Sequence, residues 1–314
     1  MRKTVGIVCA FILSSSLLLP NSVHASDSKQ IFFSGGPLYK TGIYKMSEET
    51  TKMEKVLDGN YVDVSPDGKK LAFIKEDSLY ISQVDGKNLV RLTNNQFPVY
   101  DASPRWSPNS KKIVFSRSDG NIYTIQVDSK KITNLTKTDE TIINSEPDWS
   151  PDGSKIIFHS NRTDRSHLYV MNANGSNVKQ LTGLHNDESS EYSAHFSPNG
   201  KKIIFGRAGH GNADIYIMNA DGSSQINLTK DFDQAVATPI WSPDGKKILY
   251  TINNPEDSSN SSLYTMNPNG SGKAKMKLDL PYANPYAWQS VEVKANDEKS
   301  GFEKTIDYIS NLFF

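Results

Sequence analysis

The side chains able to do chemistry fall into two short rows. One row holds Asp63, Arg105, Asp148, His195, Ile240 and Ala287, each just before Val64, Trp106, Trp149, Phe196, Trp241 or Trp288. The other, two places upstream, holds Tyr61, Ser103, Glu146, Ser193, Thr238 and Pro285. Residues two apart point to the same side of an extended strand, so the rows are expected to share one surface. With Asp101 and Glu191 added, the carboxylates of Asp63, Glu146 and Asp148 would make an acidic half-ring with Arg105 and His195 inserted. Such a ring could hold a cationic peptide segment, or a divalent cation through oxygen ligands. Equally, these charges could pair with one another or cap turns.

Other chemistries find less support. Of six histidines, His24 lies in the first 25 residues, and His159, His167, His185, His195 and His210 cluster later without a His-x-His or His-Glu-x-x-His pattern. Serines are abundant, but those in the "SPDG" strings recur five times, and a nucleophile is needed once. Their expected work is local turn hydrogen bonding. No Gly-x-Ser-x-Gly turn, phosphate-binding loop, Cys/His zinc cluster or aromatic-basic nucleic-acid platform is present.

The elements that must position these rows are repeats. "SPDGKKLAF", "SPNSKKIVF", "SPDGSKIIF", "SPNGKKIIF" and "SPDGKKILY" begin at Ser65, Ser107, Ser150, Ser197 and Ser242, 42 to 47 residues apart. Within each unit, short β-branched runs are bounded by Pro, Asp, Asn and Gly, the signature of strands. In the third unit, "PDWS", "KIIFHS", "HLYVMN" and "VKQLT" read as a four-stranded meander. Proline presets the first turn dihedral, and glycine takes the positive φ that closes the hairpin. The third-strand signature occurs six times, from "IYKM" at Ile43 to "LYTM" at Leu263. Trp106, Trp149, Phe196 and Trp241 are placed to pack between successive units.

The expected fold is therefore all-β, a six-bladed β-propeller of four-stranded antiparallel blades. The earliest unit lacks a first strand, and "NPYAWQS" (284–290) is a first strand with no unit of its own. Its insertion beside "IFFS" at Ile31 would close the ring and remove two sheet edges.

Flanking segments complete the expected organisation. Residues 1–25 read as a signal peptide: Arg2 and Lys3, an apolar run from Val5 to Leu19, and a small-residue site at Val23-His24-Ala25. The propeller is assigned to 26–291, and 292–314 to a charged linker with a short amphipathic helix. Phe302, Ile306, Ile309 and Phe313 lie on one face of that helix. Cleavage would remove the sole cysteine, Cys9, and leave no stable membrane span. Formal charge is zero, with 35 basic and 35 acidic residues, so no global field favours nucleic acid or an anionic membrane surface.

The run "EPDWSPDGSKIIFHSNRTDRSHLYVMNANGSNVKQLT", Glu146 to Thr182, resembles the TolB-type propeller repeat, also called the WD40-like or PD40 repeat. The resemblance extends over roughly residues 30 to 290 and implies an isolated propeller. The about five residues between Ser26 and Ile31 could not supply the α/β domain that precedes the propeller in TolB, and the hydrolase motif of prolyl peptidases is missing. The function implied is that of a monomeric binding module in the cell envelope or outside the cell. Its partner would be a protein, a peptide or a cell-wall glycan, with no nucleic acid and no cofactor beyond a divalent cation at the channel mouth. Resemblance to oligogalacturonate lyase, which holds manganese through histidines, raises a metal-dependent polysaccharide lyase or hydrolase as the alternative. The binding residues expected at the mouth are Tyr61, Asp63, Asp101, Ser103, Arg105, Glu146, Asp148, Glu191, His195 and Thr238.

Overall fold

A computed structural model describes residues 27–35, 42–47, 53–183, 189–209, 212–253, 261–276 and 284–292. The signal segment, His185, His210 and the tail lie outside the described residues. Among the described residues no helix is long and apolar enough to cross a membrane.

Six four-stranded antiparallel sheets make six blades. From the innermost strand outward, blade 2 runs Asn60–Val64, Lys70–Lys75, Ser78–Gln83 and Val90–Arg91. Blade 3 is Asp101–Trp106, Lys112–Arg117, Asn121–Gln126 and Ile132–Asn134, and blade 4 is Asn144–Trp149, Lys155–Thr163, Arg165–Asn172 and Lys179–Gln180. Blade 5 comprises Ser190–Phe196, Lys202–Gly209, Asn212–Asn219 and Ile226–Asn227. Blade 6 comprises Val236–Trp241, Ile248–Asn253, Ser261–Met266 and Ala274–Lys275.

Blade 1 is built from both ends of the described chain. Asn284–Glu292 is its innermost strand, paired with Asp27–Gly35, which is followed by Gly42–Ser47 and Met53–Asp58. The register runs from Asp27 opposite Glu292 to Ser34 opposite Asn284. The ring is thus closed by the strand that the sequence left spare, two residues longer than "NPYAWQS".

Burial explains the apolar runs in the second strands. Ile156, Ile157 and Phe158 are all fully buried, as are Ile203, Ile204 and Phe205. A strand packed by neighbouring blades on both faces has no solvent side, so alternation gives way to a continuous run. The cores lie between blades: Trp106 joins Ile113 and Phe115 to Ala72 and Leu79 of blade 2. Trp149 likewise packs with Val114 and Ile122 of blade 3.

The "SPDG" turns behave as local chemistry predicts. Ser150 Oγ donates to Asp152 Oδ1 at 2.6 Å and accepts the Lys155 amide at 2.9 Å. Gly153 holds φ at 69°, a conformation that glycine adopts without steric cost.

Every innermost strand of blades 2 to 6 carries one extra residue. The register against the second strand shifts between Asn60 and Asp63, Ala102 and Arg105, Ser145 and Asp148, Tyr192 and His195, and Ala237 and Ile240. Within these bulges Tyr61, Ser103, Glu146, Ser193 and Thr238 have φ between 48° and 52°. Such bulges re-aim side chains and interrupt the period of two.

Candidate functional site

The innermost strands surround a channel with one cavity toward each end. The first, about 260 Å³, is lined by all five bulge residues, Tyr61, Ser103, Glu146, Ser193 and Thr238. Arg105, Pro147, His195, Ile240, Asn284 and Tyr286 complete it. The second, about 440 Å³, opens toward the "SPDG" turns and is lined by Asp63, Asp148, Trp106, Trp149, Trp241 and Trp288 among others. Arg105, His195, Ile240 and Tyr286 border both cavities and form the waist between them.

The two rows read from the sequence thus converge on the channel, at different levels. Tyr61, Ser103, Arg105, Glu146, His195 and Thr238 meet around the first cavity, whereas Asp63 and Asp148 face the second. Asp101 and Glu191 join neither. Asp101 is buried, accepts from Thr93 Oγ1 at 2.7 Å and pairs with Arg117 Nε at 2.7 Å. Glu191, fully buried, takes His167 Nδ1, Thr182 Oγ1 and Arg207 Nε, each at 2.8 Å, and Ser189 Oγ at 3.2 Å. The reason lies in the bulge. Both residues precede it by two places, and its positive φ breaks the alternation that would have turned them toward the channel.

The remaining carboxylates are partly committed to joining blades. Asp63 Oδ2 accepts the Trp106 amide at 2.7 Å, and Asp148 Oδ2 accepts the Phe196 amide at 3.1 Å. Glu146 Oε2 accepts the Ser193 amide at 2.7 Å and the Ser193 hydroxyl at 3.1 Å. Each acid therefore caps a backbone group of the following blade, and the acidic half-ring is dispersed. Basic side chains stand beside two of them: Arg105 Nη1 lies 3.7 Å from Asp63 Oδ1, and the His195 imidazole Nδ1 3.4 Å from Asp148 Oδ2.

Burial sets the protonation chemistry of the channel. It pushes the Asp63 carboxyl up to about 6, with the Arg105 charge and the Trp106 amide acting in the opposite direction. Burial also raises the Tyr61 and Tyr286 phenols, so both are neutral donors at the cavity wall. Their rings stand 5.5 Å apart and tilted by 59°.

Tyr286 and Asn284 were not among the expected site residues. Tyr286 occupies the place held by Pro104, Pro147 and Pro239 in blades 3, 4 and 6, and its carbonyl accepts Arg105 Nη1 at 3.1 Å. The available signal was Pro285, which stands one position earlier than those prolines.

Among the described residues no three His, Cys, Asp or Glu side chains converge on one point. His159 bonds to Ser145 and His167 to Glu191, so each is held by a neighbour within the blades.

A closed six-bladed propeller, with a channel whose walls vary from blade to blade, defines the class of this protein. The chain matches the TolB beta propeller domain family (PD40) over residues 63–291 and belongs to that family. No curated protein sequence matches it. Among solved structures, TolB from Acinetobacter baumannii is similar at 20% identity and a TM-score of 0.68, covering 83% of this chain and 66% of that one. The chain thus spans slightly less than two thirds of that TolB. A putative TolB from Agrobacterium tumefaciens is similar at 21% identity and a TM-score of 0.63, covering 80% and 88%. Oligogalacturonate lyase in complex with manganese shares the fold at 12% identity and a TM-score of 0.56, covering 80% and 74%.

Proposed function

We propose that this protein is an extracytoplasmic interaction module whose first channel cavity receives a short segment of a partner protein or peptide. The observation that carries the reading is the set of five bulges. They aim Tyr61, Ser103, Glu146, Ser193 and Thr238, a phenol, a carboxylate and three hydroxyls, into one cavity of about 260 Å³. Arg105 supplies a cation at its floor, and the neutral phenols of Tyr61 and Tyr286 supply hydrogen-bond donors on aromatic walls. Such a mixed lining suits peptide groups and one or two side chains better than a bare cation. Membership of the TolB propeller family and the apolar, basic-started N-terminus support an exported protein. The lyase reading is weaker, because His159 and His167 are engaged within the blades and no three candidate metal ligands converge among the described residues.

The test is peptide selection on the immobilised full chain, from a random library, followed by affinity measurement on a Ser103→Phe variant. Phenylalanine there fills the cavity and removes no hydrogen bond between blades. Selected peptides should bind the wild type and lose at least about tenfold in affinity on the variant. Equal binding to both proteins, or failure to select any peptide, would refute the reading.

A further inference from the structure

The zero net charge of the chain conceals a separation of charge between the two faces of the ring. The turns between first and second strands, at 65–70, 107–112, 150–155, 197–202 and 242–247, carry nine lysines and three aspartates. The lysines are the pairs 69–70, 111–112, 201–202 and 246–247, together with Lys155. None of their ammonium groups lies within 4 Å of a carboxylate among the described residues. Lys155, Lys202 and Lys247 bond to the neutral side chains of Asn172, Asn219 and Asn267, which leaves their charge uncompensated. Lys69, Lys111, Lys201 and Lys246 are exposed. At the opposite face, the hairpins between second and third strands expose Glu76, Asp77, Asp119 and Asp164, with Arg165 beside the last.

We infer that the lysine-bearing face docks on an anionic lipid bilayer. The geometry favours a surface over a polymer. The five turns are equivalent elements of successive blades in a closed ring, so they stand at one level. A flat anionic surface engages all of them together, whereas a linear polyanion spans only neighbours. Blade 1, closed by two separate strands, has no such turn. Asp27 and Glu292 are paired where the other blades have this turn, and Lys29 reaches Asp244 of the adjoining turn at 3.0 Å. Each lysine held near an anionic leaflet adds to the attraction, which fades beyond about 10 Å at moderate salt.

The experiment is co-sedimentation of the full chain with phosphatidylcholine vesicles, with and without phosphatidylglycerol. The same assay is run on a variant carrying Lys69→Gln, Lys111→Gln, Lys201→Gln and Lys246→Gln. The wild type should partition onto the phosphatidylglycerol vesicles, and the variant on the order of 100-fold less, with added salt reproducing the loss. These four side chains are exposed, and an unchanged thermal midpoint verifies that the variant is folded. Should it not fold, Lys111→Gln with Lys201→Gln should still weaken binding by about tenfold. Equal binding to both vesicle types, or undiminished binding by the folded variant, would overturn the proposal and assign adhesion to apolar insertion. Capture of soluble polyphosphate with no vesicle binding would overturn it in favour of a polymer.

Discussion

Replacing Asp63 by asparagine should change stability by an amount that depends on pH, because the carboxyl is worse solvated in the fold than in the unfolded chain. Its folded value of about 6 stands above the ordinary 3.8. The folded state therefore binds more protons in that window, and the stability present below about pH 4 is lost as pH rises through about 6. Two pH units of displacement at about 1.4 kcal/mol each bound the effect near 3 kcal/mol. Between about pH 4.5 and 7.5 the proton-binding difference integrates to about 2 kcal/mol. Asparagine is uncharged throughout and can still accept the Trp106 amide through its carbonyl oxygen. Urea unfolding of both proteins at the two pH values should thus show wild type losing about 2 kcal/mol relative to Asp63→Asn on going to the higher pH. The double difference cancels every other titrating group. A difference below about 0.5 kcal/mol, or one of opposite sign, would refute burial of Asp63 as the dominant influence on its proton.

Two further predictions concern the ring itself. Glu191→Ala strands Arg207 and removes the acceptor of His167, Thr182 and Ser189, so it should cost about 3–5 kcal/mol in denaturant unfolding. Trp288→Ala empties the joint between the closing strand and blade 6, where the indole packs with Ile240, Leu249 and Ile31, and should also cost about 3–5 kcal/mol. An unchanged midpoint in either case would contradict the packing described.

The fold was legible because its determinants are local and repeated. "SPDG" closes a hairpin through one serine hydroxyl and one positive-φ residue, glycine in four copies and Ser110 in the other, and five copies leave little room for another reading. Closure was legible because a strand was missing at one end and spare at the other. The site was legible in part. Variation within an otherwise regular repeat singled out Tyr61, Ser103, Glu146 and Thr238, and these line one cavity. Asp101 and Glu191 went elsewhere because nothing in their sequence announces a left-handed residue two places on. Alternation holds only while φ stays negative. Tyr286 was obscured by a one-residue offset of proline in the closing strand.

Repetition and variation also separate the two faces by the ligands each can take. Positions constrained by the turn repeat their chemistry from blade to blade, so lysines following glycine or serine multiply into a ring with an excess of positive charge. A ring of that kind recognises charge density without regard to sequence or shape. The bulge residues face the channel, and although Glu146 bonds Ser193 and Thr238 bonds Thr251, their side-chain chemistry is not fixed by the turn and differs between blades. Five side chains of four types around one cavity break the rotational symmetry of the ring, and selective recognition of an asymmetric segment requires such a break. Failure of vesicle binding would therefore leave the channel reading standing, and failure of peptide selection would leave the lysine face untouched.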